Sequence, residues 1–236
     1  MQVSRLLDPR RFIVALCTLL LLAACERAPT LPKLNPHDVI VAFGDSLTHG
    51  TGAASDTAYP AVLATLTGRT VINAGVPGDT TATGLARLPE VLAEHRPRLV
   101  LLCLGGNDML RKHPAAATEN NLRLLIQTIR ASGAEVMLIA VPAPKLFGGA
   151  PDFYARIAED MGLPLEADVF NDVLKDNRLK SDPIHANAAG YRVVAERLAE
   201  FLRAQGIRDL RIDFATYNPV SLLLKARGWV EEEFGR

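Results

Sequence analysis

The chain has 236 residues, 49% hydrophobic and 22% charged, the balance of a globular protein and not of a disordered one. Lys+Arg and Asp+Glu are equal at 26 each, so no global field draws the chain to nucleic acid. Three cysteines, Cys17, Cys25 and Cys103, are too few for a disulfide framework.

Arg5, Arg10 and Arg11 precede an uncharged run over residues 12–24 that stops at Glu26 and Arg27. A basic head, an apolar stretch and small residues at its end describe a secretory signal peptide. The run falls short of the roughly 18 apolar residues a membrane span needs. Leu22, Ala23, Ala24 and Cys25 resemble the lipobox of bacterial lipoproteins. That resemblance implies cleavage before Cys25, lipidation of Cys25, and a membrane contact through this anchor on the periplasmic side of the cell envelope. Glu26 in place of aspartate favours the outer membrane. A plain signal peptide that contains a cysteine is the alternative. Residues 1–24 are thus expected to be a lipoprotein signal peptide, and 25–37, with Pro29, Pro32 and Pro36, a tether.

From residue 38 apolar runs alternate with helical patterns. Strands are expected over 39–43, 70–73, 98–104 and 135–141, with a weaker one at 163–165. Helices are expected over 59–66, 81–95, 118–131, 152–161 and 187–205. Leu122, Leu125, Ile126 and Ile129 recur at helical spacing and predict one buried face. Cys103 lies in the run Leu99-Val100-Leu101-Leu102-Cys103-Leu104, where a thiol acts as a small buried hydrophobe. The alternation predicts an α/β fold, a parallel sheet with helices on both faces, whose sites lie at the carboxyl ends of the strands. Residues 208–236 do not continue it. Leu222, Leu223, Ala226, Val230 and Phe234 share a helical face beside Trp229, as a terminal helix docked on the domain would. No charge excess there favours a membrane surface.

Gly44-Asp45-Ser46-Leu47 follows the first strand. Serine at a strand-to-helix turn exposes its hydroxyl, although such serines are more often caps. Thr48 breaks the G-x-S-x-G pattern, so the nucleophile elbow of α/β-hydrolases is not indicated. Asn73-Ala74-Gly75 comes after the second strand, where a glycine can bring its own N–H close to a substrate, and Gly105-Gly106-Asn107-Asp108 follows the third, where by itself it reads as a turn. Asp182 stands three residues before His185 on a loop with Pro183, a spacing that lets a carboxylate hold one ring nitrogen while the other faces a serine. A nucleophile, an oriented base, a glycine N–H and an asparagine amide are together the set that acyl transfer needs. Asp45 is expected to hydrogen-bond within its own turn. His49 is a candidate for the pocket wall, and His37, His95 and His113 show no metal-ligand spacing.

These blocks, Gly44-Asp45-Ser46-Leu47, Gly75, Gly105-Gly106-Asn107-Asp108 and Asp182 with His185, resemble the GDSL, or SGNH, serine hydrolases. Gly78-Asp79-Thr80 and Gly84-Leu85-Ala86-Arg87-Leu88-Pro89 bring the likeness nearest to the bacterial periplasmic thioesterase, lysophospholipase and arylesterase branch. The resemblance implies a three-layer α/β/α sandwich with a flavodoxin-like parallel sheet of about five strands over 38–207. It implies Ser46 as nucleophile, His185 as base and then acid, and Asp182 as the group orienting it. The oxyanion hole would be the N–H groups of Ser46 and Gly75 and the side chain of Asn107. It calls for no metal or organic cofactor. The expected partner is a small acyl ester or thioester, and the protein is expected to act as a monomer. Pro183, and Ala186 after His185, depart from the family's usual Gly and Pro and bear on loop geometry. A carbohydrate O-deacetylase of the same fold and a non-catalytic envelope binding lipoprotein are the alternatives. Segments 77–83 and 143–151 are expected to wall the acyl site, with Lys145, Leu146 and Phe147 making the second one apolar.

Overall fold

Ile40, Val41, Ala42 and Phe43 carry no polar side chain on either face, which suits only a strand covered on both sides. They form β1 (Val39–Gly44), with every residue from Ile40 onward buried. The computed structural model describes residues 31, 34–35, 37–144 and 149–204. The expected signal segment, Cys25, residues 145–147 and the extension over 208–236 lie outside the described residues. β1 pairs in parallel with β2 (Thr70–Gly75) and β3 (Leu99–Cys103), β3 with β4 (Glu135–Ile139), and β4 with β5 (Leu165–Glu166). The sheet order is β2-β1-β3-β4-β5. This is the five-stranded parallel α/β architecture expected from the sequence.

The eight α-helices among the described residues are α1 (Ser46–His49), α2 (Tyr59–Thr67), α3 (Thr81–His95), α4 (Gly106–Leu110), α5 (Ala115–Ala131), α6 (Phe153–Met161), α7 (Val169–Lys175) and α8 (Ala188–Ala204). Crossovers between parallel strands are right-handed. The chain steps one way along the sheet from β1 to β2 and the other way thereafter, so α2 lies on one face and α3, α5 and α6 on the other. The packing agrees: α8 contacts α2 and α7, while α5 contacts α3 and α6. The direction reverses between β1 and β3, and the crevice this opens above their carboxyl ends is where open α/β sheets bind ligands. Ser46 follows β1 and Asn107 follows β3.

Leu122, Leu125, Ile126 and Ile129 are the buried face of α5, as their spacing predicts. Cys103 is buried in β3, and burial pushes its thiol well above its ordinary range.

Several local features differ from the sequence expectation. β2 runs on to Gly75, so this glycine ends the strand. Gly106-Asn107-Asp108 opens helix α4, because Gly105 takes the left-handed conformation (φ 120°) and turns the chain directly into a helical path. A Cβ at Gly105 would also lie 2.4 Å from the Tyr154 hydroxyl oxygen, which donates to the Leu104 carbonyl at 2.8 Å. The weak fifth strand falls at Leu165–Glu166, and α7 was not anticipated. Leu31 and Leu34, in the segment read as a tether, are buried against the core. The Arg69 guanidinium donates to the Leu34 carbonyl at 2.8 Å and to that of Asn35, which pins this stretch to the domain.

Candidate active site

Asp45 caps α1, its Oδ1 accepting from the Leu47 N–H at 3.0 Å, which is the turn-internal bond expected of it. As the first residue of the helix, Ser46 has a backbone N–H with no intrahelical partner. The Ser46 Oγ lies 3.0 Å from His185 Nε2, and His185 Nδ1 lies 2.7 Å from Asp182 Oδ2. The other carboxylate oxygen of Asp182 accepts from the backbone N–H of Ile184 at 2.8 Å and of His185 at 2.9 Å. Two backbone donors thus orient the carboxylate, which in turn orients the ring. An ionised carboxylate only accepts, so the imidazole proton sits on Nδ1 and Nε2 faces the serine as an acceptor. Burial acts to raise the Asp182 carboxyl, but the His185 hydrogen bond, the Ile184 N–H and the His185 charge outweigh it, and the group lies below the usual carboxylate range. An imidazole so placed can take the serine proton and stay paired once charged.

Asn107, the second residue of α4, lines the same cavity as Ser46 and His185. Its Nδ2 donates to the Asp79 carbonyl at 2.9 Å and to Asp45 Oδ2 at 3.2 Å. Gly75 is the register partner of Gly44. A Cβ there would fall 2.1 Å from the His49 backbone nitrogen, so only glycine lets β2 approach α1 this closely. The Gly75 N–H donates to the side chain of Asn73 at 3.0 Å, and Gly75 is not among the cavity-lining residues.

The cavity measures about 660 Å³. Leu47, Leu110, Val141, Pro142, Ala143 and Pro144 supply apolar wall, with Leu174 and Ile184 opposite. Of the two expected wall segments, 143–144 contributes, whereas none of 77–83 does. His49 does not line it either. The α7 contribution had no sequence signal, because Asn171, Leu174 and Lys175 meet Ser46 only through the tertiary fold. Among the described residues no group of three or more His, Cys, Asp or Glu side chains could hold a metal ion.

Burial pushes the Asp45 carboxyl up to about 6, against the lowering effect of the Leu47 N–H and of His185. The folded chain therefore binds more protons than the unfolded chain between the ordinary value of 3.8 and about 6, and stability falls as pH rises through that window. Asp45→Ser retains a capping oxygen. The stability of the native chain relative to this variant, by urea unfolding, is expected to decline from about pH 4 to about pH 6 by up to ~3 kcal/mol. A flat difference would contradict the assignment.

The GDSL-like Lipase/Acylhydrolase family model matches residues 42–193. The chain is 34% identical over 174 residues to the thioesterase 1/protease 1/lysophospholipase L1 of Escherichia coli K12, across 70% of this chain and 84% of that protein. To the arylesterase of Vibrio mimicus it is 33% identical over 174 residues, across 69% and 87% respectively. The crystal structure of the psychrotrophic esterase EstA from Pseudoalteromonas sp. superposes with a TM-score of 0.63 at 24% identity, over 71% of this chain and 97% of that one, and so shares the fold. With a family match that takes in Ser46, Gly75, Asn107, Asp182 and His185, and relatives of this similarity, the chain belongs to the GDSL-like lipase/acylhydrolase family.

Proposed function

We propose that Ser46, His185 and Asp182 hydrolyse carboxylic esters and thioesters through an acyl-serine, acting as nucleophile, general base and orienting carboxylate. The relay from Ser46 Oγ to His185 Nε2 at 3.0 Å, and from His185 Nδ1 to Asp182 at 2.7 Å, carries this reading. His185 takes the Ser46 proton as Oγ attacks the acyl carbon, and returns it to the departing alcohol or thiol. Water then enters, gives a proton to His185 and releases the acid by the same route.

The negative charge that grows on the former carbonyl oxygen is met by the N–H groups of Ser46 and Gly75 and the amide of Asn107. Each such donor contributes about 2.7–4 kcal/mol at the transition state. In the resting site the Gly75 N–H donates to the Asn73 side chain at 3.0 Å, and the Asn107 amide is shared between the Asp79 carbonyl at 2.9 Å and Asp45 Oδ2 at 3.2 Å. An oxyanion displaces the uncharged partners, Asn73 and the Asp79 carbonyl, since charge-assisted bonds are roughly twice as strong as neutral ones.

The relatives' names point to thioesters, lysophospholipids and aryl esters as substrate classes. The apolar wall from Leu47 and Leu110 to Pro144 favours a longer acyl chain over acetyl. Turnover of p-nitrophenyl esters from acetate to decanoate is the test. Values of kcat/KM are expected to rise beyond acetate before levelling off. A profile that peaks at acetate would favour the O-deacetylase reading, and no turnover at any length would count against hydrolysis of simple esters.

A further inference from the structure

We propose that Arg87 is a positioning residue for this reaction, setting two of the three oxyanion donors at once without touching the substrate. The proposal rests on the roles given above to Gly75 and Asn107. Arg87 lies two turns into α3, and helical side chains lean towards their own N-terminus. That end of α3 faces the carboxyl ends of β1 and β2, so the guanidinium reaches back beneath the site.

There its Nη2 donates to the Ala74 carbonyl at 2.9 Å and to the Gly44 carbonyl at 3.0 Å. Its Nε donates to Asp79 Oδ2 at 2.6 Å, and its centre lies 4.0 Å from the centroid of the Phe43 ring. The Ala74 carbonyl and the Gly75 N–H belong to one planar trans peptide and point opposite ways. Anchoring the oxygen therefore sets the direction of the N–H, and a cation on that oxygen makes the N–H a stronger donor. The Gly44 carbonyl belongs to the peptide that enters Asp45-Ser46, and it also accepts from the Val76 N–H at 3.0 Å.

The second line runs through Asp79. Its carboxylate is held by Arg87 and by the Thr83 hydroxyl at 2.9 Å, while its backbone carbonyl accepts from Asn107 Nδ2 at 2.9 Å. Arg87 thereby reaches the ends of β1 and β2 and, through Asp79, the amide after β3. These are the three places whose alignment an oxyanion hole requires. The planar fork of arginine spans two carbonyls and a carboxylate, which a lysine ammonium on a flexible stem does not do in fixed geometry.

The test compares kcat and KM for p-nitrophenyl butyrate in native, Arg87→Lys and Arg87→Met chains, per folded molecule by near-UV circular dichroism. Arg87→Met is expected to lower kcat by about 10–100-fold, the scale of a misplacement of reacting groups, with KM nearly unchanged. Arg87→Lys is expected to fall between, and it carries the comparison if the methionine variant does not fold. Asn107→Ala, made in the native and Arg87→Lys backgrounds, is expected to cost less in the second, because the donor it removes is already misaligned. Undiminished kcat in folded Arg87 variants, or the same Asn107→Ala factor in both backgrounds, overturns the proposal and leaves Arg87 a purely structural residue. An inactive native chain overturns the functional reading and this proposal with it. An active native chain with undiminished Arg87 variants overturns this proposal alone.

Discussion

Ser46→Ala is expected to lower kcat for ester hydrolysis by about 10⁶-fold while leaving the fold intact. The size follows from what the hydroxyl does: with no acyl acceptor, His185 has no proton to remove and no covalent intermediate forms. The fold survives because α1 is capped by Asp45, whose bond to the Leu47 N–H does not involve the Ser46 side chain. Among the described residues, the only side-chain hydrogen bond of Ser46 is the one to His185. Stopped assays with p-nitrophenyl butyrate, at matched near-UV circular dichroism, check this. Retention of even a tenth of the native rate would mean that another group attacks the ester.

Asp182→Asn is expected to cost about 10⁴-fold in kcat although it changes one atom. Oδ1 of Asp182 accepts from two backbone N–H groups, those of Ile184 and His185. An asparagine keeps its oxygen there, because its NH₂ would meet two donors. The NH₂ is then aimed at His185 Nδ1, which must accept, and the imidazole proton moves to Nε2. Nε2 then donates towards Ser46 and no longer accepts its proton. Wrong tautomer, and not lost packing, is the cause. Asp182→Ala leaves Nδ1 free to bond water and so permits the correct tautomer. The asparagine variant should therefore be no more active than the alanine variant in kcat, and a clearly more active asparagine variant would contradict this account. The Asp182 side chain is 41% exposed, so water can reach Nδ1 in the alanine variant.

Which parts of this site were legible in the sequence follows from the range of each interaction. The long strands and helices announce themselves through periodicity. Residues 39–43 have no polar side chain and must be covered on both faces, and Leu122, Leu125, Ile126 and Ile129 mark one face of α5 at their own spacing. Asp182 and His185 are three residues apart, so their contact is local. Turns of few residues were less legible. Gly105-Gly106-Asn107-Asp108 has turn composition, yet it opens a helix because Gly105 adopts φ 120° against the Tyr154 hydroxyl, a neighbour 49 positions further on. The short helix α7 was missed for a related reason. Val169, Phe170 and Val173 are its buried positions, and Glu166 Oε1 accepts from the Asp168 and Val169 N–H groups at its start. Seven residues are too few for a helical period to stand out.

The sequence by itself determined the fold class, the family and the chemical types at the site, because these rest on residue identity and on patterns within one element. Tertiary structure alone decided that Ser46 and His185, separated by 139 positions, stand 3.0 Å apart. It also decided that α7 walls the cavity and 77–83 does not, and that Arg87 joins the carbonyls of Gly44 and Ala74 to Asp79. Those contacts depend on the order of the strands and the handedness of their crossovers. Strand order determines which carboxyl ends lie side by side, and no local pattern in the chain encodes that distance.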